Sequence, residues 1–260
     1  MSAGYADVRV EQEGGVARLI LDAPERRNAL TVAMARSMVD ACDDLDRDPT
    51  VGAVVVCGEG AYFCAGGDRP TLAAAGEDPA DPEQYDGMGD IYRAFARVGE
   101  LRMPTIAAIR GGAVGAGMNL AMATDVRIVA RDAKLASGFI PIGLHPGGGH
   151  GVLLGRTGAR EAAAALMLFG EAVDGERFAQ LGLAWAAVDT ADVEAKALEL
   201  AARPGADPDL ARRTAASMRM ELGPPAMTWN AALQLERPEQ MWSMRRKAQA
   251  AAGQPSSQDA

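Results

Sequence analysis

Cysteine, histidine, aromatic residues and positive charge are all in short supply in this chain, and each shortage excludes something. Its three cysteines, Cys42, Cys57 and Cys64, fall into neither a disulfide framework nor a metal-ligand spacing. Cys57 and Cys64 sit in an apolar run and a glycine corner, where buried thiols are ordinary. Its two histidines, His145 and His150, share one glycine-rich loop, which gives little support for a metal site. Lysine and arginine number 26 against 35 acidic residues, a net charge of -9. Nucleic acid and membrane surfaces select a basic field, so neither is expected as a partner. No apolar run reaches membrane-spanning length. The first residues, Met1 to Asp7, have no basic region followed by an apolar one, so no signal peptide is expected. A reducing cytoplasm is the expected compartment.

Apolar residues make up 48% of the 260 positions, enough for one sizeable core. Val8–Glu13, Gly14-Gly15 and Val16–Leu21 spell a β-hairpin. Thr31 is a suitable N-cap for a helix to about Arg47, with Met34, Met38, Ala41 and Leu45 on one face. Val51–Cys57 is a continuous apolar run, as in a strand covered on both faces. Residues 70–90 are rich in Ala, Gly, Asp, Glu and Pro and are expected to form a mobile acidic loop. A helix is expected from Met88 to Leu101, a strand over Thr105–Ile109, a helix from Ala116 to Thr124 and a strand over Val126–Ala130. Three strand–loop–helix modules in succession indicate an α/β core. Helices are expected over Ala159–Phe169 and Gly175–Leu181, and a last strand over Leu183–Val188. From Asp192 the pattern is helical only, with breaks at Arg203-Pro204-Gly205 and Gly223-Pro224-Pro225. The expected division is a core over 1–190, a helical subdomain over 191–252 and a disordered tail over 253–260.

Glycine is what the chain has in plenty. Phe63-Cys64-Ala65-Gly66-Gly67-Asp68 forms one glycine corner and Gly111-Gly112-Ala113-Val114-Gly115-Ala116-Gly117-Met118-Asn119 a second, which opens into a helix. Glycine admits close backbone approach, and a helix start offers N–H groups without internal partners. Two such corners face to face can aim two N–H donors at one oxygen, the oxyanion hole of carbonyl or thioester chemistry. Other glycine motifs fail: no Lys-Ser/Thr follows for a phosphate-binding loop, the G-x-G-x-x-G spacing is not met, and no G-x-S-x-G elbow exists.

With these corners the chain resembles the crotonase superfamily, the enoyl-CoA hydratase/isomerase family. The markers are Pro24-Glu25-Arg26-Arg27-Asn28-Ala29-Leu30, Phe63–Asp68, Gly112–Asp125 and Gly143–Gly149. The resemblance implies a spiral of β-β-α turns with C-terminal helices that build trimers, often paired as hexamers. It implies an acyl-CoA substrate and no cofactor besides the coenzyme A of that substrate. The thioester oxygen would lie between the N–H groups of Gly67 and Ala116. Coenzyme A would lie around Arg26, Arg27 and Ala29, with its adenine near Ala65, Gly66 and Asp68. Arginine suits phosphate on an otherwise acidic protein. The acyl pocket would draw on Met118, Phe139 and the 70–90 segment.

The chain departs from the family where hydration needs two glutamates. One position holds Asn119; the other, aligned on Gly143 and Pro146, holds Phe139. Asparagine orients a water but does not take its proton, and phenylalanine does neither. The titratable groups left are His145, His150 and Asp68, with His145 the candidate acid or base beside the acyl pocket. Asp68 belongs to the binding motif and is expected to fix the corner. The expected activity is thioester chemistry of the hydratase, lyase or isomerase type with an altered acid/base set. The alternatives are a non-catalytic acyl-CoA binder and an assembly partner of an active paralogue.

Overall fold

The computed structural model describes residues 3–77, 81–157 and 159–223. The chain begins with three antiparallel strands, β1 (Ala3–Tyr5), β2 (Val8–Glu13) and β3 (Val16–Leu21). Gly14, at φ 56°, makes the turn that joins β2 to β3. Helix α1 (Val32–Arg47) follows, capped by the Thr31 hydroxyl, which accepts from the Met34 N–H at 3.1 Å. Its Met34, Met38, Ala41 and Leu45 are buried, so the stripe read from sequence is the core face. The helix is the crossover that lets β4 (Ala53–Gly58) run parallel to β3. Every residue of β4 is buried, in keeping with its unbroken apolar run.

Helices α2 (Arg69–Glu77) and α3 (Pro82–Gly99) come next, then β5 (Thr105–Ile109), β6 (Gly112–Val114), α4 (Ala116–Ala123), β7 (Val126–Ala130) and β8 (Lys134–Ala136). The chain continues through α5 (His150–Gly155), α6 (Arg160–Leu168), β9 (Ala172–Val173), α7 (Gly175–Gln180) and β10 (Ala186–Val188). It ends, as described, with α8 (Val193–Gly205) and α9 (Pro208–Leu222). The strands form a seven-stranded sheet in the order β1-β2-β3-β4-β5-β7-β10 and a three-stranded sheet β6-β8-β9. The large sheet is antiparallel as far as β3 and parallel beyond it. The small sheet branches off where β5 passes into β6, and this branch carries the second glycine corner.

The expected 70–90 loop is corrected: the described part of that segment is helical. Pro82 is not a breaker here but stands at the first position of α3, behind an Asp81 cap that accepts from the Gln84 N–H at 3.0 Å. Pro70 likewise falls in the first turn of α2. The break expected at Arg203-Pro204-Gly205 falls at its last residue: α8 runs through Pro204 and stops at Gly205. Gly205 packs tightly on Gly15: a Cβ on Gly15 would lie 1.9 Å from the Gly205 carbonyl oxygen.

Helix α8 buries Val193, Ala197 and Ala201 against the large sheet. From α9, the Arg212 guanidinium donates to the carbonyl oxygens of Leu45, Asp46, Asp48 and Val51, closing the end of α1. Arg219 similarly holds Asp125 and the Met103 carbonyl. The rest of the expected helical subdomain and the 253–260 tail lie outside the described residues.

Candidate active site

The first corner is a strip of chain stitched between two neighbours. On one side, Leu30 N donates to Gly66 O, Asp68 N to Leu30 O and Ala65 N to Arg27 O, all at 2.8–3.0 Å. On the other, Cys64 pairs with Ala113 in a parallel bridge. The loop that supplies the first set is held by Asn28, which is fully buried at φ 55°. Its Oδ1 accepts from Ala23 N, and its Nδ2 donates to the carbonyls of Glu59 and Tyr62. Asn28 in the Pro24–Leu30 marker is therefore the post on which that loop turns.

Two glycines set how closely the corners approach. Gly66, at φ 106°, has its backbone against β6, and a Cβ there would lie 2.8 Å from Val114 O and 3.7 Å from Ala116 N. A Cβ on Gly117 would lie 2.2 Å from Cys64 O. Gly115 caps α4 with its own backbone at φ 56°, which leaves Ala116 as the first helical residue. Its N–H has no acceptor inside the helix. Among the described residues, neither Gly67 nor Ala116 donates its N–H to a backbone carbonyl.

A cleft of about 880 Å³ opens beside this junction. The expected binding residues Arg26, Arg27, Ala29, Ala65 and Asp68 line it, together with the expected oxyanion donor Gly67. The arginine pair divides its work. Arg26 is committed to the protein, donating to Ala29 O at 3.1 Å and pairing with Asp7 and Glu25. Arg27 lies over the Tyr62 ring at 5.8 Å and, with Arg69 and Lys134 in the same cleft, forms no ion pair among the described residues. Asp68 accepts weakly from Thr71 N and Oγ1, fastening the start of α2. Arg69 and Lys134 were missed from sequence, and Lys134 had no local signal because it arrives on β8 of the small sheet. A smaller cavity of about 290 Å³, bordered by Met88 and Tyr92, lies between α2 and α3.

Asn119 lies on the inward side of α4 and is buried. Its Nδ2 donates to Gly147 O at 3.0 Å, and its Oδ1 lies 2.6 Å from His150 Nδ1. His150 Nε2 lies 2.6 Å from Ser137 Oγ, and the Phe139 ring meets the imidazole edge-on at 5.1 Å between centroids. Ser137 and His150 are 1% and 2% exposed, and burial pulls the His150 pKa down to about 4, so the ring is neutral at pH 7. His145 does not join this group. It is exposed, with Nδ1 against the Pro146 carbonyl at 2.7 Å. Of the two histidines, the one beside Asn119 and Phe139 is His150; Ser137 was not foreseen. Among the described residues, no group of three or more His, Cys, Asp or Glu side chains could hold a metal ion.

The fold and its glycine junction define a crotonase-type scaffold, and comparison with known proteins agrees. The enoyl-CoA hydratase/isomerase family profile matches residues 11–244. The chain is 41% identical over 223 residues to the probable enoyl-CoA hydratase EchA14 of Mycobacterium tuberculosis, covering 85% of each. It is 34% identical to the 1,2-epoxyphenylacetyl-CoA isomerase of Escherichia coli, covering 73% of this chain and 72% of the other. Among solved structures, an enoyl-CoA hydratase from Polaromonas sp. JS666 superposes with a TM-score of 0.82 at 28% identity, covering 91% of both chains. This chain belongs to the enoyl-CoA hydratase/isomerase family.

Proposed function

We propose that this chain acts on acyl-CoA thioesters, holding the thioester oxygen between the N–H groups of Gly67 and Ala116. The observation that carries the reading is the Gly66–Val114–Ala116 approach beside a cleft whose Arg27, Arg69 and Lys134 form no ion pair among the described residues. Charge that develops on the oxygen during proton removal or conjugate addition is stabilised by fixed donors more than the ground state is. Arg27, Arg69 and Lys134 supply local positive charge for the phosphates of coenzyme A on an acidic protein. The acyl group is placed toward α2, whose Leu72 side chain would lie 3.3 Å from a Cβ on Gly67. Relatives with names as different as hydratase and epoxyphenylacetyl-CoA isomerase fit a scaffold that keeps the thioester and changes the chemistry.

Asn119 and Phe139 supply no carboxylate, so water addition by a glutamate pair is not the expected reaction. A panel of enoyl-, aryl- and branched acyl-CoA thioesters with products identified by mass tests this. Turnover of at least one thioester is expected, with crotonyl-CoA hydration weak or absent. Robust crotonyl-CoA hydration by pure protein would overturn the altered acid/base set. A second reading, a binder without turnover, is favoured by one observation: Asn119 and His150 have their hydrogen bonds satisfied within the protein. A homotrimer or hexamer is also proposed. Ile142, Val152, Leu168 and Phe169 are exposed at 62–77% on neighbouring segments, an apolar surface that assembly would cover. Light scattering at micromolar concentration tests it, and a monomer would contradict it.

A further inference from the structure

We propose that Ser137 is a nucleophile toward the bound thioester, with His150 as its base and Asn119 as the residue that positions the imidazole. The chain would then hydrolyse acyl-CoA through an acyl-serine. The inference rests on the thioester-binding reading above.

The hydrogen-bond directions can be worked out from one end. Asn119 Nδ2 donates to Gly147 O, so Oδ1 is the atom that faces His150. An amide oxygen only accepts, so His150 Nδ1 carries the proton. Nε2 is then bare, and the Ser137 hydroxyl donates to it across 2.6 Å. A hydroxyl aimed at a neutral imidazole whose far nitrogen is fixed by a side-chain oxygen is the arrangement of acyl-transfer triads. Neither Asn119 nor Ser137 carries charge, and burial keeps the imidazole neutral and able to accept a proton.

Position supports the same role. Ser137 follows β8, where Ala136 O accepts from Gly115 N at 3.2 Å. A Cβ on Gly115 would lie 3.7 Å from Ser137 O and 3.8 Å from the Phe139 ring. The next N–H along the chain is that of Ala116. The proposed nucleophile thus sits directly after the strand that borders the Ala116 corner, bonded to its base, which is bonded in turn to the positioning residue. Substrate access requires the segment over the cluster to yield. That segment contains Gly138, Gly143, Gly148 and Gly149 at positive φ and an exposed stretch from Pro141 to His145.

The chemistry balances with water as the only co-reactant. Ser137 Oγ bonds to the thioester carbon as its proton passes to His150 Nε2. The carbonyl electron pair moves onto the oxygen held by Gly67 and Ala116. Collapse breaks the C–S bond, and the sulfur leaves with the proton from His150. Water then attacks the ester carbon and gives a proton to His150, which returns it to Ser137 Oγ as the C–O bond breaks. The products are free coenzyme A and a carboxylic acid.

The test uses the full chain with acetyl-, hexanoyl- and benzoyl-CoA. Three readouts are needed: thiol release, intact mass with peptide mapping, and acyl-CoA affinity by calorimetry. Wild-type protein should release thiol and carry an acyl group, or a fluorophosphonate label, on Ser137. Ser137→Ala should lose about 1000-fold or more in thiol release while binding acyl-CoA within about threefold of wild type. Asn119→Asp, which keeps the acceptor facing Nδ1, should retain release within about tenfold. Acyl-CoA binding without thiol release from any of the three would overturn the triad and leave the binding reading standing. Release unchanged in Ser137→Ala, or an adduct mapped to another residue, would also overturn the triad. Absence of acyl-CoA binding in folded wild-type protein would overturn the binding reading and the triad with it.

Discussion

The two sides of the Gly66–Ala116 junction are built from opposite materials. On the outer side, the cleft is open and charged, with Arg27, Arg69 and Lys134 unpaired among the described residues. On the inner side, Asn119, Ser137, His150 and Phe139 form a sealed cluster without net charge, each polar group bonded to the next. The outer side can recognise a polyanion with few demands on geometry, since exposed charges act over several ångströms. The inner side depends on distances of 2.6–3.0 Å. On the proposed function, the ligand is read mainly outside and the reaction decided inside. A chain can therefore keep the first while replacing two carboxylates in the second.

The largest effect is expected where the two sides meet. Gly67→Pro removes one donor N–H without breaking a backbone bond among the described residues. Turnover of the best thioester should fall on the order of 100- to 1000-fold, with the fold checked by circular dichroism. Unchanged binding and turnover in folded protein would remove Gly67 from the site. Gly117→Ala should come next, because its methyl group would lie 2.2 Å from Cys64 O, a backbone atom that cannot swing aside. A loss of about 3 kcal/mol in urea denaturation is expected. A loss below about 0.5 kcal/mol would show that the corners are looser than described.

The inner cluster has a pH signature of its own. The His150 pKa is pulled by burial from the ordinary 6.5 to about 4, so between these values the unfolded chain binds a proton that the folded one does not. The stabilisation is complete above pH 6.5 and is lost as pH falls toward 4, on the order of 3 kcal/mol in all. Denaturant titrations over that range should show a steeper slope in wild type than in His150→Gln. Equal slopes would mean that water reaches the imidazole. The smallest effect belongs to the cleft. Arg27→Ala and Lys134→Ala should each weaken acyl-CoA binding roughly fivefold, and the loss should shrink at high salt. A much larger, salt-independent loss would place the decisive contacts there instead.

Sequence pattern was informative where structure is local. The β2–β3 hairpin, α1 with its Thr31 cap, the buried runs of β4 and β5, and the Gly115–Ala116 helix start follow from composition and spacing. The composition of residues 70–90 points to a loop because Ala, Gly, Asp, Glu and Pro dominate it, yet Pro70 and Pro82 stand in first helical turns, where proline is at ease. The small sheet escaped notice because β6, β8 and β9 have only 3, 3 and 2 residues, too few for a period to register. The site divided in the same way. The glycine corners announce themselves, whereas the Asn119–His150 bond spans 31 positions and Ser137 carries no motif. Only packing selects His150 over His145.

The central claim, that Gly67 and Ala116 hold a thioester oxygen on which charge can develop, is tested most directly with acetoacetyl-CoA. Its enolate absorbs in the near ultraviolet and forms more readily where the thioester oxygen is stabilised as an anion. Mixing it with wild-type protein near pH 7 should give an enolate band well above that of the free thioester, and Gly67→Pro should abolish the increase. Saturable binding with the same spectrum as in buffer, for both proteins, would contradict the claim.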